Sequence, residues 1–196
     1  NSSQLLSLNL LEYNPKITLN NGVEVIIPNK STEKDFLKNV VRESTITYGD
    51  YYLPSDVNTS INNGFASTVN HTEYIHNPNG SGKDYYIGRV VEKVETSVAY
   101  GDTKKAKTTY TFLNNLPNTI KIYNQNESQY LLDTYVYDNF GNLKEKTVTN
   151  SLDGQYQYTK NEYDSKGLFV IKTTNNLGLV SQTTYNDWGQ ILTQTD

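Results

Sequence analysis

Tyr137-Asp138-Asn139-Phe140-Gly141-Asn142-Leu143, Tyr163-Asp164-Ser165-Lys166-Gly167-Leu168-Phe169 and Tyr185-Asn186-Asp187-Trp188-Gly189-Gln190-Ile191 align without a gap. They share Tyr-[Asp/Asn]-x-x-Gly, an apolar residue two after the Gly (Leu143, Phe169, Ile191) and Thr six after it (Thr147, Thr173, Thr195). Asp or Asn at the first corner of a tight turn accepts a hydrogen bond from the backbone N–H two residues on, and Gly at the fourth position supplies a positive φ. The motif therefore predicts a β-hairpin tip. With side chains alternating along a strand, Tyr137, Tyr163 and Tyr185 are expected to face Leu143, Phe169 and Ile191 across each hairpin.

An isolated two-stranded hairpin is marginal in water, so each copy must pair edge-on with the next. Further turn signals at Leu152-Asp153-Gly154 and Asn175-Asn176-Leu177-Gly178 lie between the tips. They turn the row of hairpins into a meander. The expected fold is all-β: antiparallel hairpins forming a curved, open sheet, a segment of a shell or solenoid.

Composition agrees with many short strands. The 196 residues include 17 Tyr and 25 Asn, with no Cys or Met. Tyr and Thr fit a pleated, half-wet surface, whereas Asn and Gly fit turns. A hydrophobic fraction of 35% is thin for a packed core, but tyrosine buries its ring while keeping its hydroxyl wet. A net charge of -4 with both signs interspersed offers no basic face for nucleic acid. Lys104-Lys105 with Lys107 is the densest cationic run and is expected at a solvated hairpin end. No apolar run reaches the ~20 residues of a membrane-spanning helix. The chain begins without Met and stops just after a repeat's second strand, which reads as a piece cut from a longer array.

Upstream the pattern decays. Thr47-Tyr48 with Leu53-Pro54-Ser55-Asp56-Val57 echoes Thr111-Phe112 with Leu116-Pro117-Asn118-Thr119-Ile120, the prolines fitting a turn or a strand's first residue. Tyr85-Tyr86-Ile87-Gly88-Arg89-Val90 reads as a Gly turn entering a strand. Strands near 65–75 precede a long loop containing Asn77-Pro78-Asn79-Gly80-Ser81-Gly82. Lys16–Leu19 and Val23–Ile27 flank Asn20-Asn21-Gly22, a strong hairpin signal. Ser31–Val41 is the one helical candidate, with Phe36, Leu37, Val40 and Val41 on one face and Thr32/Asp35 as a weak capping box. The expected organisation is an irregular β opening over 1–45, degenerate repeats over 46–130 and regular repeats over 131–196, most simply as one continuous array.

The Tyr-Asp-x-x-Gly units from Thr134 to Thr195 resemble the YD repeats of the Rhs family, which also occur in teneurins and in the B and C components of insecticidal Tc toxin complexes. Tyr48-Gly49-Asp50-Tyr51-Tyr52-Leu53-Pro54, Tyr86-Ile87-Gly88-Arg89-Val90 and Thr108-Thr109-Tyr110-Thr111-Phe112 resemble the irregular region that precedes regular repeats in bacterial members. The resemblance implies hairpins spiralling into a hollow shell that encloses a C-terminal effector, in a secreted or cell-surface bacterial protein. The sequence departs from the family in two ways. Asn142, Leu168 and Gln190 stand where Arg usually follows the repeat Gly, and nothing matches the family's self-cleavage region or an effector. The chain is thus expected to be wall only, its partners being further repeats of the same longer chain and an enclosed effector, with dimerisation through open sheet edges when isolated.

Catalytic readings are weak. His71 and His76 lie in a polar stretch read as loop, with no Gly-x-Ser-x-Gly elbow, and His-Glu-His at this spacing matches no zinc pattern. Asp138, Asp164 and Asp187 are sufficiently explained as turn formers. No enzyme activity, cofactor or metal is expected. The rival reading is a surface module that stacks glycans on Trp188, Tyr85, Tyr86, Tyr51 and Tyr52, which sit beside turns.

Overall fold

The computed structural model describes residues 5–19 and 22–196. The strands are β1 (Ser7–Tyr13), β2 (Ile17–Thr18), β3 (Glu24–Val25), β4 (Pro28–Asp35), β5 (Val40–Tyr48), β6 (Pro54–Ile61), β7 (Ala66–Asn77) and β8 (Tyr86–Ala99), followed by β9 (Asp102–Leu113), β10 (Leu116–Tyr123), β11 (Tyr130–Tyr137), β12 (Leu143–Asn150), β13 (Tyr156–Tyr163), β14 (Val170–Asn175), β15 (Val180–Tyr185) and β16 (Ile191–Thr195). Fourteen of them form one sheet in the order β1-β4-β5 and then consecutively to β16, while β2 and β3 pair separately. The registered pairs are all antiparallel, so the expected all-β meander is what the chain forms. Residues group into two units, Asn1–Asn79 with Tyr85–Lys107, and Gly80–Asp84 with Thr108–Asp196.

Among the described residues neither unit encloses an apolar side chain, and the most buried are polar: Thr32, Thr59 and Asp133. Cohesion comes instead from cross-strand pairs, each worth a fraction of a kcal/mol to about 1 kcal/mol. Ser44 and Thr59 face each other and hydrogen-bond at 2.9 Å, as Thr184 and Thr193 do at 2.6 Å. Lys172 meets Glu162 at 2.6 Å, and Lys146 meets Asp133 at 2.7 Å, where the Tyr135 hydroxyl also donates to the Asp133 carboxylate at 3.1 Å.

Several expectations are corrected. Ser31–Val41 is a hairpin and not a helix. The Asp35 carboxylate accepts the N–H of Leu37 and of Lys38 and closes a turn, Asn39 adopts φ 52, and Phe36 and Leu37 project from that turn. The apolar spacing that suggested a helix joins two turn residues to two strand residues. Gly88 lies inside β8 with φ 73, beside a register irregularity between Ile75 and Asn77, rather than in a turn. Lys104, Lys105 and Lys107 lie on β9 beyond the Tyr100-Gly101 turn, with Lys107 3.0 Å from Glu92. The hairpin at 16–27 is present, Ile17 opposite Val25, although Asn20 and Asn21 of its turn lie outside the described residues. No helix among the described residues is long and apolar enough to cross a membrane.

Candidate functional site

The three tips are built as their residue types dictate. Asp138 Oδ1 accepts the N–H groups of Phe140 and Asn142, both at 2.9 Å, and Asn186 Oδ1 accepts those of Trp188 at 3.0 Å and Gln190 at 2.9 Å. Asp164 Oδ1 accepts Leu168 N–H at 2.6 Å and Phe169 N–H at 2.9 Å. The N–H of each repeat glycine reaches back to the carbonyl of the Asp or Asn three residues earlier, and Gly141, Gly167 and Gly189 have φ of 86°, 69° and 79°. The same device closes the opposite ends of these strands, where Asn175 Oδ1 accepts Leu177 N–H and Leu179 N–H.

Tyr137 faces Leu143 and Tyr185 faces Ile191 as expected. Tyr163 faces Val170 instead of Phe169, because its tip closes from Asp164 N–H to the Phe169 carbonyl, one residue wider than the closures to Asn142 and Gln190. Phe169 is thereby freed to stack on Tyr185, with ring centroids 4.9 Å apart.

A further element was not visible in the motif. The register slips at Tyr13, Tyr48, Tyr74, Tyr137, Tyr163 and Tyr185, and such a bulge re-aims the side chain. Four of these tyrosines then donate their hydroxyl to the first residue of an earlier outgoing strand: Tyr48 to the Pro28 carbonyl at 2.7 Å, Tyr74 to Pro54 at 3.0 Å, Tyr163 to Leu143 at 3.1 Å and Tyr185 to Val170 at 3.1 Å. Each acceptor is the residue opposite an earlier bulged tyrosine, namely Tyr13, Tyr48, Tyr137 and Tyr163. Four hairpins are thus latched to an earlier one. Two asparagines reinforce the Tyr163 latch: Asn161 Nδ2 also donates to the Leu143 carbonyl at 3.2 Å, and Asn142 Nδ2 donates to the Gly167 carbonyl at 2.7 Å.

The tips also stack. A Cβ on Gly167 would sit 2.6 Å from the Phe140 ring, and one on Gly189 2.6 Å from the Phe169 ring. The glycine is required twice over, by its φ and by the aromatic ring lying against it.

Partial burial pushes the Asp138 carboxyl up, but the N–H groups of Asn142, Phe140 and Gly141 and the Asn142 amide outweigh it and hold the group below its ordinary value. For Asp164 the Phe169 N–H lowers it most, helped by Leu168 and Lys166 and opposed by burial. A carboxylate depressed in the folded state stabilises the fold above its unfolded pKa, near 4, and that contribution is lost as pH falls through the folded value. The double substitution Asp138→Asn with Asp164→Asn is therefore expected to flatten the acid dependence of the urea midpoint below about pH 4.

His71 and His76 lie on β7, not in a loop. His71 Nδ1 is 2.6 Å from Asp56, directly across the sheet, and the hydrogen bond to Asp56 raises its pKa against partial burial, with Glu73 and Glu92 adding to the rise. His76 Nδ1 accepts the Gly88 N–H at 3.0 Å, and its ring lies 4.7 Å from that of Tyr51. Tyr51 and Tyr52 both adopt φ 56 in a short 3-10 turn. Tyr85 is exposed, whereas Tyr86 lies under the Arg89 guanidinium, 3.8 Å from its ring centre. Trp188 is 88% exposed. No protein-family model matches the chain, and none of the curated proteins does.

Proposed function

We propose that the chain is a structural wall segment of an Rhs/YD-repeat shell, which encapsulates or presents a C-terminal effector in an exported bacterial protein. The supporting observation is the latch. Tyr48, Tyr74, Tyr163 and Tyr185 each tie their hairpin to an earlier one, and this cohesion between neighbours stands in for the apolar core that the described residues lack. Such an arrangement suits a wall, whose units are stable through their neighbours and leave both faces of the sheet available.

The test is limited proteolysis of the intact exported protein. The effector is expected to resist protease in the native shell and to become cleavable when Tyr48→Ala and Tyr185→Ala break two latches. Equal cleavage of the effector in both forms would contradict the reading.

A further inference from the structure

We infer that the free edge of β16 is a docking site for one further hairpin of the Tyr-[Asp/Asn]-x-x-Gly type, whose tyrosine hydroxyl is donated to the Ile191 carbonyl and whose glycine lies under the Trp188 indole. The inference deepens the wall reading and rests on it only for the idea that such hairpins meet edge to edge. The same surface is seen twice within this unit, filled. On the β11–β12 hairpin, the Leu143 carbonyl receives the Tyr163 hydroxyl and the Phe140 ring covers Gly167. On the β13–β14 hairpin, the Val170 carbonyl receives the Tyr185 hydroxyl and the Phe169 ring covers Gly189.

The β15–β16 hairpin presents the equivalent groups. Ile191 stands opposite Tyr185, as Leu143 stands opposite Tyr137 and Val170 opposite Tyr163. Trp188 follows Asn186 by two residues, as Phe140 follows Asp138, whereas on the β13–β14 hairpin the covering ring, Phe169, comes five residues after Asp164. Among the described residues β16 pairs with β15 alone, and every residue of the strand is exposed. An open edge would accept any extended strand. The carbonyl and the ring make this one selective, because they ask for a hydroxyl and for a residue without a Cβ at fixed places.

Trp188 is the one tryptophan in the chain, so its fluorescence reports this site alone. A synthetic peptide Tyr156–Asn175, which contains no tryptophan, is titrated into the full chain. A saturable blue shift is expected, about twofold weaker in affinity for the peptide carrying Tyr163→Phe, whose loss the Asn161 amide partly covers, and tenfold or more weaker for Gly167→Ala. Because a lone hairpin is marginal in water, a second form appends a copy of Ser151–Asn175 after Asp196, where the tether supplies millimolar effective concentration. The same blue shift is expected there, reduced by the same two substitutions in the copy. The inference is overturned by no shift in either form, by equal shifts for all peptides, or by a concentration-dependent shift without peptide, which would assign the edge to a second copy of the chain. No effector takes part in this assay, so its failure and failure of the protease experiment are separate results.

Discussion

Gly189→Ala is expected to destabilise the chain by about 3 kcal/mol, whereas Gly178→Ala costs about 1 kcal/mol, both read from urea unfolding midpoints. The two glycines share a left-handed backbone, with φ +79 and +77, so the conformational cost of a side chain is common to both. What differs is the space. A Cβ at Gly178 meets nothing within 4 Å, whereas one at Gly189 meets the Phe169 ring at 2.6 Å. Phe169 is stacked on Tyr185, so moving its ring away from Gly189 disturbs that stack. In a Phe169→Ala background the penalty at Gly189 is expected to fall towards the value at Gly178. A penalty at Gly189 unaffected by Phe169 would mean that the tips are independent turns.

The second large effect concerns hydroxyl groups alone. Tyr48→Phe, Tyr74→Phe and Tyr185→Phe combined are expected to cost about 2–3 kcal/mol, near 1 kcal/mol for each hydrogen bond lost, with every ring retained. Tyr163→Phe should cost less, because the Asn161 amide still satisfies the Leu143 carbonyl. Tyr137→Phe is the control. Its hydroxyl makes no latch bond, and burial raises its pKa with no hydrogen-bonding partner contributing, so the substitution is expected to stay within about 0.5 kcal/mol of the parent. Equal effects at Tyr48 and Tyr137 would show that the rings stabilise the hairpins and the hydroxyl groups do not.

These expectations also mark what the sequence makes legible. The tips at 138, 164 and 186 are readable because an Asx side chain, its own backbone and a glycine three residues on complete the turn within five or six residues. The one-residue difference at the second tip is not readable, since Phe169 and Val170 are both apolar and only the closing hydrogen bond chooses between them. The latch escapes a motif search for a different reason. Its acceptor is a backbone carbonyl 20 residues upstream of Tyr48, Tyr74 and Tyr163, and a carbonyl carries no residue signature. Tyr48 reads only as a decayed repeat because Gly49 follows it in place of Asp or Asn, and Tyr74, followed by Ile75, carries no repeat signal at all. Their place in the sheet is nonetheless that of Tyr163 and Tyr185. At 31–41 the apolar spacing misleads, because Phe36 and Leu37 are turn residues whereas Val40 and Val41 begin a strand. Asp35 is the residue that decides the segment, accepting two N–H groups ahead of it and turning the chain back.

The latch is tested most directly by residue-resolved hydrogen exchange of the parent chain and Tyr48→Phe under native conditions. Loss of the bond to Pro28 is expected to speed exchange about fivefold for amides of β4, β5 and β6, leaving β11 to β14 as protected as before. Acceleration spread evenly over both units, or none at β4 to β6, would contradict a sheet held together by hairpins latched to earlier ones.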